Sequence, residues 1–142
     1  MPETKRIVLD WKGGLKFVGQ NEEGVTVNFD VSKRSGGDGE ALSPMETLLA
    51  CLGACEGIAV VRLLRKMRQN LTGYHVELTG IRRDEDPSIY TDIGLKYVIR
   101  GRALSKDAVE KAIRLAEQKY CSVRGMIEKT VKMSSSYEIV EE

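Results

Sequence analysis

The sequence predicts an α+β fold, and three features of the chain predict it. Short stretches of alternating apolar and polar residues come first, and a long apolar helix follows a glycine-rich loop. Strands, helices and a final strand complete the chain, an order typical of α+β proteins. Apolar residues make up 42% of the 142 residues, which suits a folded domain. Because this length fits one core, residues 1–142 are expected to form a single domain.

The N-terminal residues 5–30 are predicted to form a meander of short strands. Apolar residues alternate with polar ones in three stretches, which Gly13-Gly14 and residues 21–24 separate. Residues 32–43 are polar and rich in glycine, so we expect a mobile loop there.

A long central helix is predicted over residues 44–68. Ser43 suits the N-cap, Pro44 the first helical position and Glu46 the third, so Ser43 and Glu46 would form a capping box. Apolar residues lie on almost every side of its N-terminal turns, whereas a surface helix carries one apolar stripe. Such a helix is expected to be buried all round, which a chain of this length achieves only with cover from a second subunit.

The rest of the chain alternates between strand and helix patterns. Residues 74–100 are predicted to form a β-hairpin and residues 131–140 a final strand, because apolar residues recur there at every second position. Two helices are expected over residues 106–129, the first of them opened by Ser105 as its N-cap.

Charge and hydropathy argue against two classes of partner. Lys and Arg number 22 against 21 Asp and Glu, a formal net charge of +1, so no general positive field would attract nucleic acid. The most apolar run, Thr47 to Val61, is shorter than the roughly 20 residues that cross a bilayer, and the N-terminus carries no apolar signal segment. A soluble, cytoplasmic protein without nucleic-acid or membrane partners is therefore expected.

The three cysteines, Cys51, Cys55 and Cys121, are too few for a disulfide scaffold and point to redox or metal chemistry in a reducing compartment. His75 is the one histidine, which leaves little material for a metal site or a Cys-His mechanism. A tetrahedral site made by the three cysteines and His75 is an alternative with weak ligand spacing. We expect neither a metal nor an organic cofactor.

The cysteines also have a packing interpretation. Cys51 and Cys55 lie one turn apart in the apolar helix, where free cysteine is often a small core residue and where burial raises the thiol pKa. Cys121 precedes a predicted helix, whose free backbone amides and dipole would lower the pKa of its thiol. A buried cysteine beside Tyr120 is the other interpretation of Cys121.

Two motifs resemble the OsmC/Ohr family. The first is Ser43-Pro44-Met45-Glu46-Thr47-Leu48-Leu49-Ala50, with Cys55 later in the same helix, and the second is Tyr120-Cys121-Ser122-Val123. The similarity covers nearly the whole chain and includes the order of elements. The segments around both motifs are most similar to the YhfA-like branch of the family.

The resemblance implies antiparallel sheets packed around a long central helix in an intertwined homodimer. It also implies a cysteine-based peroxidase that reduces organic or fatty hydroperoxides in oxidative stress defence. In that chemistry Cys55 attacks the peroxide, becomes a sulfenic acid and condenses with Cys121 to a disulfide. A cellular dithiol, for example of the lipoyl type, would reduce the disulfide, and no cofactor would be required.

Three positions depart from the family pattern. The family's catalytic glutamate commonly follows the proline directly, where this chain has Met45, so Glu46 is a candidate both for catalysis and for capping alone. Ser122 follows the second cysteine in place of a frequent proline. An arginine from the N-terminal half usually holds the thiolate, and Arg6 and Arg34 are candidates for it without motif support.

Two rival functions follow from the same residues. One is a thiol-dependent reductase or transferase that acts on a different electrophile. The other is a non-catalytic redox-sensing or small-molecule-binding protein, in which the cysteines pack or switch. Substrate profiling separates the first rival from a peroxidase, and multiple turnovers with a dithiol would exclude the second.

Overall fold

The computed structural model describes residues 2–142, which form two three-stranded sheets and three α-helices. The strands are β1 (Val8–Trp11), β2 (Phe17–Gln20), β3 (Thr26–Phe29), β4 (Asn70–Arg82), β5 (Tyr90–Arg102) and β6 (Lys132–Glu141). The α-helices are α1 (Pro44–Lys66), α2 (Lys106–Leu115) and α3 (Ser122–Ile127), with a 3₁₀ turn at Lys33–Ser35 and a π-helical turn at Ala116–Tyr120. The expected α+β fold class is confirmed.

The chain forms two compact units, residues 1–48 and residues 49–142. The expectation of one domain over the whole chain stays a prediction. In the first unit, β1, β2 and β3 pair antiparallel in sequence order, as the meander prediction expects. The loop that follows is held in part by Asp30, whose carboxylate accepts the backbone N–H groups of Val31 at 2.7 Å and Glu40 at 3.1 Å.

One face of the N-terminal sheet is apolar. Directly opposed residues share a face, and the register aligns Leu9 with Gly19 and Val27, and Trp11 with Phe17 and Phe29. Trp11 is 66% exposed, and Leu9, Phe17 and Val27 are exposed as well. This face, from here on the apolar sheet face, is more extensive than the scattered apolar residues of an ordinary protein surface.

Helix α1 begins with the predicted capping box. The backbone N–H of Glu46 donates to Ser43 Oγ at 3.2 Å, and the backbone N–H of Ser43 donates to Glu46 Oε1 at 3.0 Å. Two of the helix's free donors are thereby satisfied by side chains.

The helix ends at Lys66, two residues before the predicted end, because Arg68 has a left-handed backbone with φ of 58°. The Arg68 N–H donates to the Arg65 carbonyl, and the Gln69 N–H donates to the Leu64 carbonyl, both at 2.9 Å. This pair of bonds is the Schellman motif, in which glycine is the usual left-handed residue. This chain has arginine at that position, so the sequence contained no glycine to indicate where α1 ends.

Replacing Arg68 by glycine is expected to raise the free energy of unfolding by about 0.5–1 kcal/mol, because glycine adopts the left-handed conformation without a Cβ penalty. Arg65→Gly is the matched control, since Arg65 lies in the regular last turn and its replacement should lower stability by about 1 kcal/mol. Urea unfolding of both variants measures the two effects. Loss of stability in Arg68→Gly would contradict the assignment.

In the second unit the sheet order is β4-β5-β6, with β5 in the centre. Strands β4 and β5 form the predicted hairpin, longer than expected at both ends. Strand β6 pairs with β5 in parallel, which corrects the expectation of purely antiparallel sheets. The reason is the connection: the chain crosses through α2 and α3 before returning, and such crossovers place the next strand parallel.

Helix α1 is buried on one side only. Leu52, Val60 and Leu64 are fully buried, and a Cβ at Gly53 would lie 2.7 Å from the Leu78 side chain on β4, so glycine permits this close packing. The opposite side of α1 is exposed, with Ile58 55% exposed. Burial on all sides is therefore not achieved within one chain, because the second unit supplies one sheet for one helix face.

By length and composition α1 could also cross a membrane, with a mean hydropathy of 1.8 over its most apolar window. That window is interrupted by Glu56, which is fully buried and paired with an arginine. Packing on β4 and a buried ion pair are typical of the core helix of a folded protein.

Candidate functional site

Cys55 and Cys121 lie side by side in the second unit. Cys55 is half-buried in the middle of α1, and Cys121 is buried at the N-cap of α3. The two thiols are close neighbours, because the Cys55 side chain is near enough to raise the pKa of the Cys121 thiol. The structure thus brings together two cysteines that are far apart in the sequence, and their redox roles stay predictions at this point.

The backbone around Cys121 fixes the direction of its thiol. The π-helical turn ends at Cys121, whose backbone N–H donates to the Ala116 carbonyl at 2.9 Å and whose own conformation is extended. The backbone N–H of Arg124 then donates to Cys121 Sγ at 3.4 Å, so the sulfur caps α3. A side chain that serves as an N-cap has one orientation, which points this sulfur toward the start of its own helix.

The expected lowering of the Cys121 pKa is wrong. The pKa of the Cys121 thiol is raised to about 12, mainly by burial, with smaller contributions from the charge of Glu56 and from the neighbouring Cys55 thiol. The Arg124 N–H acts in the opposite direction and is outweighed. Helix α3 has only six residues, and its dipole does not compensate for removing the thiolate from water. Cys121 is a neutral thiol at physiological pH.

Reduced protein treated with iodoacetamide at pH 8 is expected to alkylate at Cys121 at least about tenfold more slowly than a free thiol, because only the thiolate reacts. A raised folded-state pKa means that the thiolate fraction grows only as the pH climbs toward 12. The Cys121 rate should therefore still be increasing above pH 9. Time-resolved peptide mass spectrometry measures it, and a rate already constant above pH 8 would contradict the raised pKa.

Cys51 and His75 do not join the thiol pair. Cys51 is exposed one turn before Cys55, so the packing interpretation is wrong for Cys51. His75 is exposed on β4, where its ring bonds Glu77 at 3.0 Å. The alternative metal site made of the three cysteines and His75 is therefore not assembled in one chain.

Within residues 2–142, one group brings three potential metal ligands together: Asp30, Asp38 and Glu40. Lys16 already forms ion pairs with Asp38, at 2.9 Å, and with Glu40. Asp30 is committed to backbone N–H groups, and these bonds, that of Glu40 first, lower the pKa of its carboxyl. These three carboxylates therefore stabilise the loop that carries them through ion pairs and hydrogen bonds within the protein.

A network of buried polar side chains, which the sequence interpretation missed, adjoins the thiols. Arg124 Nη1 donates to Glu56 Oε1 at 3.1 Å, and Glu56 is fully buried. The Tyr97 hydroxyl lies 3.2 Å from Glu56 Oε2 and 2.9 Å from Glu117 Oε2, and donates its proton to this pair of carboxylates. Glu56, Tyr97, Glu117 and Arg124 are called the carboxylate network below.

Burial and ion pairing have opposite effects on the pKa of Glu56 in the carboxylate network. Burial raises the pKa of Glu56, and the Arg124 guanidinium acts in the opposite direction. Burial and then the charges of Glu56 and Glu117 raise the pKa of Tyr97, so its hydroxyl keeps the proton that it donates. A signal for this network existed in the sequence, because a glutamate inside an apolar helix run needs a buried partner.

The Tyr74 hydroxyl is buried next to this network and, within residues 2–142, has no hydrogen-bond partner. A buried unpaired hydroxyl costs about 1–3 kcal/mol. Tyr74→Phe is therefore expected to raise the free energy of unfolding by about 1 kcal/mol. Tyr97→Phe is the matched control, which should lower stability because it removes a hydroxyl that bonds two carboxylates. Thermal unfolding measures both, and a destabilised Tyr74→Phe would overturn the assignment.

Glu46 and the two candidate arginines lie in the first unit. The backbone and side chain of Ser43 lower the pKa of the Glu46 carboxyl, which the capping box engages. Its catalytic role stays a prediction. Arg6 and Arg34 are exposed, and Arg34 is part of the 3₁₀ turn. In the structure Arg124, from the C-terminal part of the chain, bonds Cys121 Sγ through its backbone and Glu56, the neighbour of Cys55, through its side chain.

Cys55 opens onto a cleft of about 400 Å³ along α1. Apolar side chains form most of its wall, and two cations, Arg62 and Lys66, lie further along the helix. Its lining residues are Cys55, Ile58, Ala59, Arg62, Leu63, Lys66 and Tyr120. This space, called the thiol cleft below, gives a small molecule access to Cys55 but not directly to the buried Cys121.

Comparisons with known proteins place this arrangement in a family. The sequence profile of the OsmC-like proteins matches residues 37–136. Protein YhfA of Escherichia coli (strain K12) is 42% identical over 130 residues, which cover 92% of this chain and 94% of YhfA. A hypothetical protein from Aquifex aeolicus VF5 has a solved structure with a TM-score of 0.87 and 31% identity, covering 99% of each chain.

A more distant solved structure shows the same fold. The protein from Legionella pneumophila that is described as an organic hydroperoxide resistance protein OsmC has a TM-score of 0.69 and 16% identity, over 96% of this chain and 97% of its own. Since the OsmC-like profile spans most of the residues and YhfA matches nearly the whole length, the protein belongs to the OsmC-like family.

Proposed function

We propose that this protein is a thiol peroxidase that reduces organic hydroperoxides, with Cys55 as the attacking thiol and Cys121 as the resolving thiol. The observation that carries the proposal is the proximity of the two thiols, of which Cys55 lines an open cleft and Cys121 does not. The description of a protein of similar fold as an organic hydroperoxide resistance protein supports the same reaction class.

The proposed reaction uses both thiols once per cycle. The Cys55 thiol loses its proton, and the thiolate attacks the terminal oxygen of the hydroperoxide. The O–O bond breaks, Cys55 becomes a sulfenic acid, and the departing alkoxide takes up the proton that the thiol released and leaves as an alcohol. The sulfur of Cys121 then attacks the Cys55 sulfur, the S–O bond breaks, and hydroxide leaves with the Cys121 proton as water. A dithiol such as a lipoyl group reduces the resulting disulfide by exchange.

The thiol cleft supports organic and fatty hydroperoxides as substrates. Its wall is mostly apolar, and burial of an alkyl chain contributes about 0.8 kcal/mol per methylene. Arg62 and Lys66 make no ion pair within residues 2–142, so they would suit the carboxylate of a fatty hydroperoxide. Hydrogen peroxide gains nothing from these contacts and should be the poorer substrate.

A homodimer is part of the same proposal. The apolar sheet face in the first unit and the exposed side of α1 in the second unit each present more apolar surface than the single apolar residues of an ordinary protein surface. A second copy of the chain would cover both. Sedimentation equilibrium tests this directly, and a monomer at micromolar concentration would contradict it.

Cytoplasmic oxidative stress defence is the proposed setting, because a cycle that regenerates two thiols needs a reducing compartment.

One rival function has a specific observation in its favour. A raised Cys121 pKa beside an apolar cleft also suits a binding protein whose thiols do not turn over.

Turnover assays separate these functions. Purified protein is mixed with dihydrolipoamide and cumene hydroperoxide, and consumption of the hydroperoxide is followed over many equivalents. The proposal expects multiple turnovers, with hydrogen peroxide at least about tenfold slower, as the methylene contribution implies. Turnover of a different electrophile alone would favour the thiol-dependent reductase, and no turnover would favour the binding protein.

A further inference from the structure

The ion pair between Glu56 and Arg124 joins the two segments that carry the thiols. Glu56 follows Cys55 directly in α1, and Arg124 lies in the first turn of α3. Its guanidinium reaches Glu56 at 3.1 Å, while its backbone N–H donates to Cys121 Sγ at 3.4 Å. One residue therefore contacts the buried thiol through its backbone and the neighbour of the other thiol through its side chain.

The surroundings make this pair rigid. The Glu56 side chain is fully buried, and the Arg124 side chain is only 11% exposed. The Tyr97 hydroxyl holds the second oxygen of Glu56, and Glu117 lies 3.9 Å from Arg124 Nη1. Separating the charges at this site would leave each without water, so the pair keeps one geometry.

The two thiols depend on this pair to different degrees. Cys55 lies within the 23 residues of α1, and the helix's own hydrogen bonds fix its position. Cys121 caps a helix of six residues, too short to be stable by itself, so its position depends on what anchors α3. Arg124 anchors α3 to α1 beside the thiols through its ion pair with Glu56.

We propose that Glu56 and Arg124 are positioning residues for the resolving step, in which they hold the Cys121 sulfur against the sulfenic acid of Cys55. The inference rests on the proposed peroxidase function and assigns the pair no part in the first step. Peroxide reaches Cys55 from the thiol cleft, on a helix whose position does not require the pair. Disulfide formation needs two sulfurs at bonding distance, and misplacement of one by about 1 Å can lower a rate about 10²-fold.

Slow resolution has a chemical signature. A sulfenic acid that meets no thiol is oxidised by a second hydroperoxide molecule, which leaves as an alcohol, to a sulfinic acid that dithiols do not reduce. A protein with a loosened ion pair should therefore react with peroxide normally and then accumulate sulfinic acid at Cys55.

The test uses Glu56→Gln and Arg124→Lys, which nearly preserve side-chain volume but weaken the ion pair. Glu128→Gln is the matched control, since Glu128 lies 3.8 Å from Arg124 Nε and its side chain is 52% exposed. Stopped-flow consumption of cumene hydroperoxide gives the first rate, and quenched alkylation with mass spectrometry gives the rate of disulfide formation. Both rates are measured well below each variant's melting temperature.

Disulfide formation is expected to fall at least about tenfold in Glu56→Gln, and less in Arg124→Lys, while the first rate changes less than twofold. The amount of sulfinic acid at Cys55 should rise more in Glu56→Gln than in Arg124→Lys. Glu128→Gln should match the wild type in both rates and in sulfinic acid. Parallel loss of both rates, or an unchanged rate of disulfide formation, would overturn the inference. A wild type that forms no disulfide with any hydroperoxide would instead overturn the proposed function.

Discussion

Replacing Arg124 by methionine is expected to lower the free energy of unfolding by about 3–5 kcal/mol, because the variant leaves the buried Glu56 charge without its partner. The double variant Glu56→Leu with Arg124→Met should recover most of this loss, since a buried pair and an apolar pair are often of similar stability. Urea unfolding of the wild type, the single variants and the double variant gives the coupling energy.

The stability of the Arg124→Met variant is expected to change with pH in one direction. Burial raises the pKa of Glu56 in the folded protein, and without Arg124 the main opposition to that shift is lost, since the Tyr97 hydrogen bond acts more weakly. The folded state then binds more protons than the unfolded state, so stability rises as the pH falls. The difference between Arg124→Met and the wild type should narrow from pH 7 toward pH 5. A difference that widens on acidification would contradict the buried pair.

The second large effect concerns the thiols. Cys55→Ser is expected to lower hydroperoxide consumption by about 10³-fold or more, because no other group replaces the attacking thiolate. Cys121→Ser should retain the first reaction and lose recycling, so that consumption stops after one equivalent where Cys55 stays a sulfenic acid and after two where it is oxidised to a sulfinic acid. Cys51→Ser is the matched control on the same helix.

Hydroperoxide consumption by Cys55→Ser at the wild-type rate would contradict the assignment of the attacking thiol. Sustained turnover by Cys121→Ser would contradict the resolving role, because the sulfenic acid would then be reduced without an internal disulfide. Both outcomes are read by the same assay of residual hydroperoxide, with thiol states checked by peptide mass spectrometry.

Local signals predicted the starts of helices well. The capping box at Ser43 and Glu46 and the cap at Ser105 are formed by neighbouring residues, and both are present in the structure. The end of α1 was harder to predict, because Arg68 adopts a conformation that glycine usually signals. The pairing of β6 was also not predicted, since a strand pattern does not state the direction of its neighbour.

The candidate site was predictable in part. Cys55 and Cys121 were singled out through a family resemblance, and the structure places their thiols close together. Arg124 was not identified, because its role depends on a bond to Glu56, 68 residues away in the chain. The Cys121 pKa was predicted in the wrong direction because the sequence shows a nearby helix start but does not show how deeply the thiol is buried.

The central claim is tested most directly by treating fully reduced protein with one equivalent of cumene hydroperoxide and mapping disulfides by peptide mass spectrometry. The account predicts one Cys55–Cys121 disulfide per hydroperoxide consumed, formed rapidly and reversed by a dithiol. Thiols that remain reduced while the hydroperoxide persists, or a disulfide that contains Cys51 in place of Cys121, would contradict it.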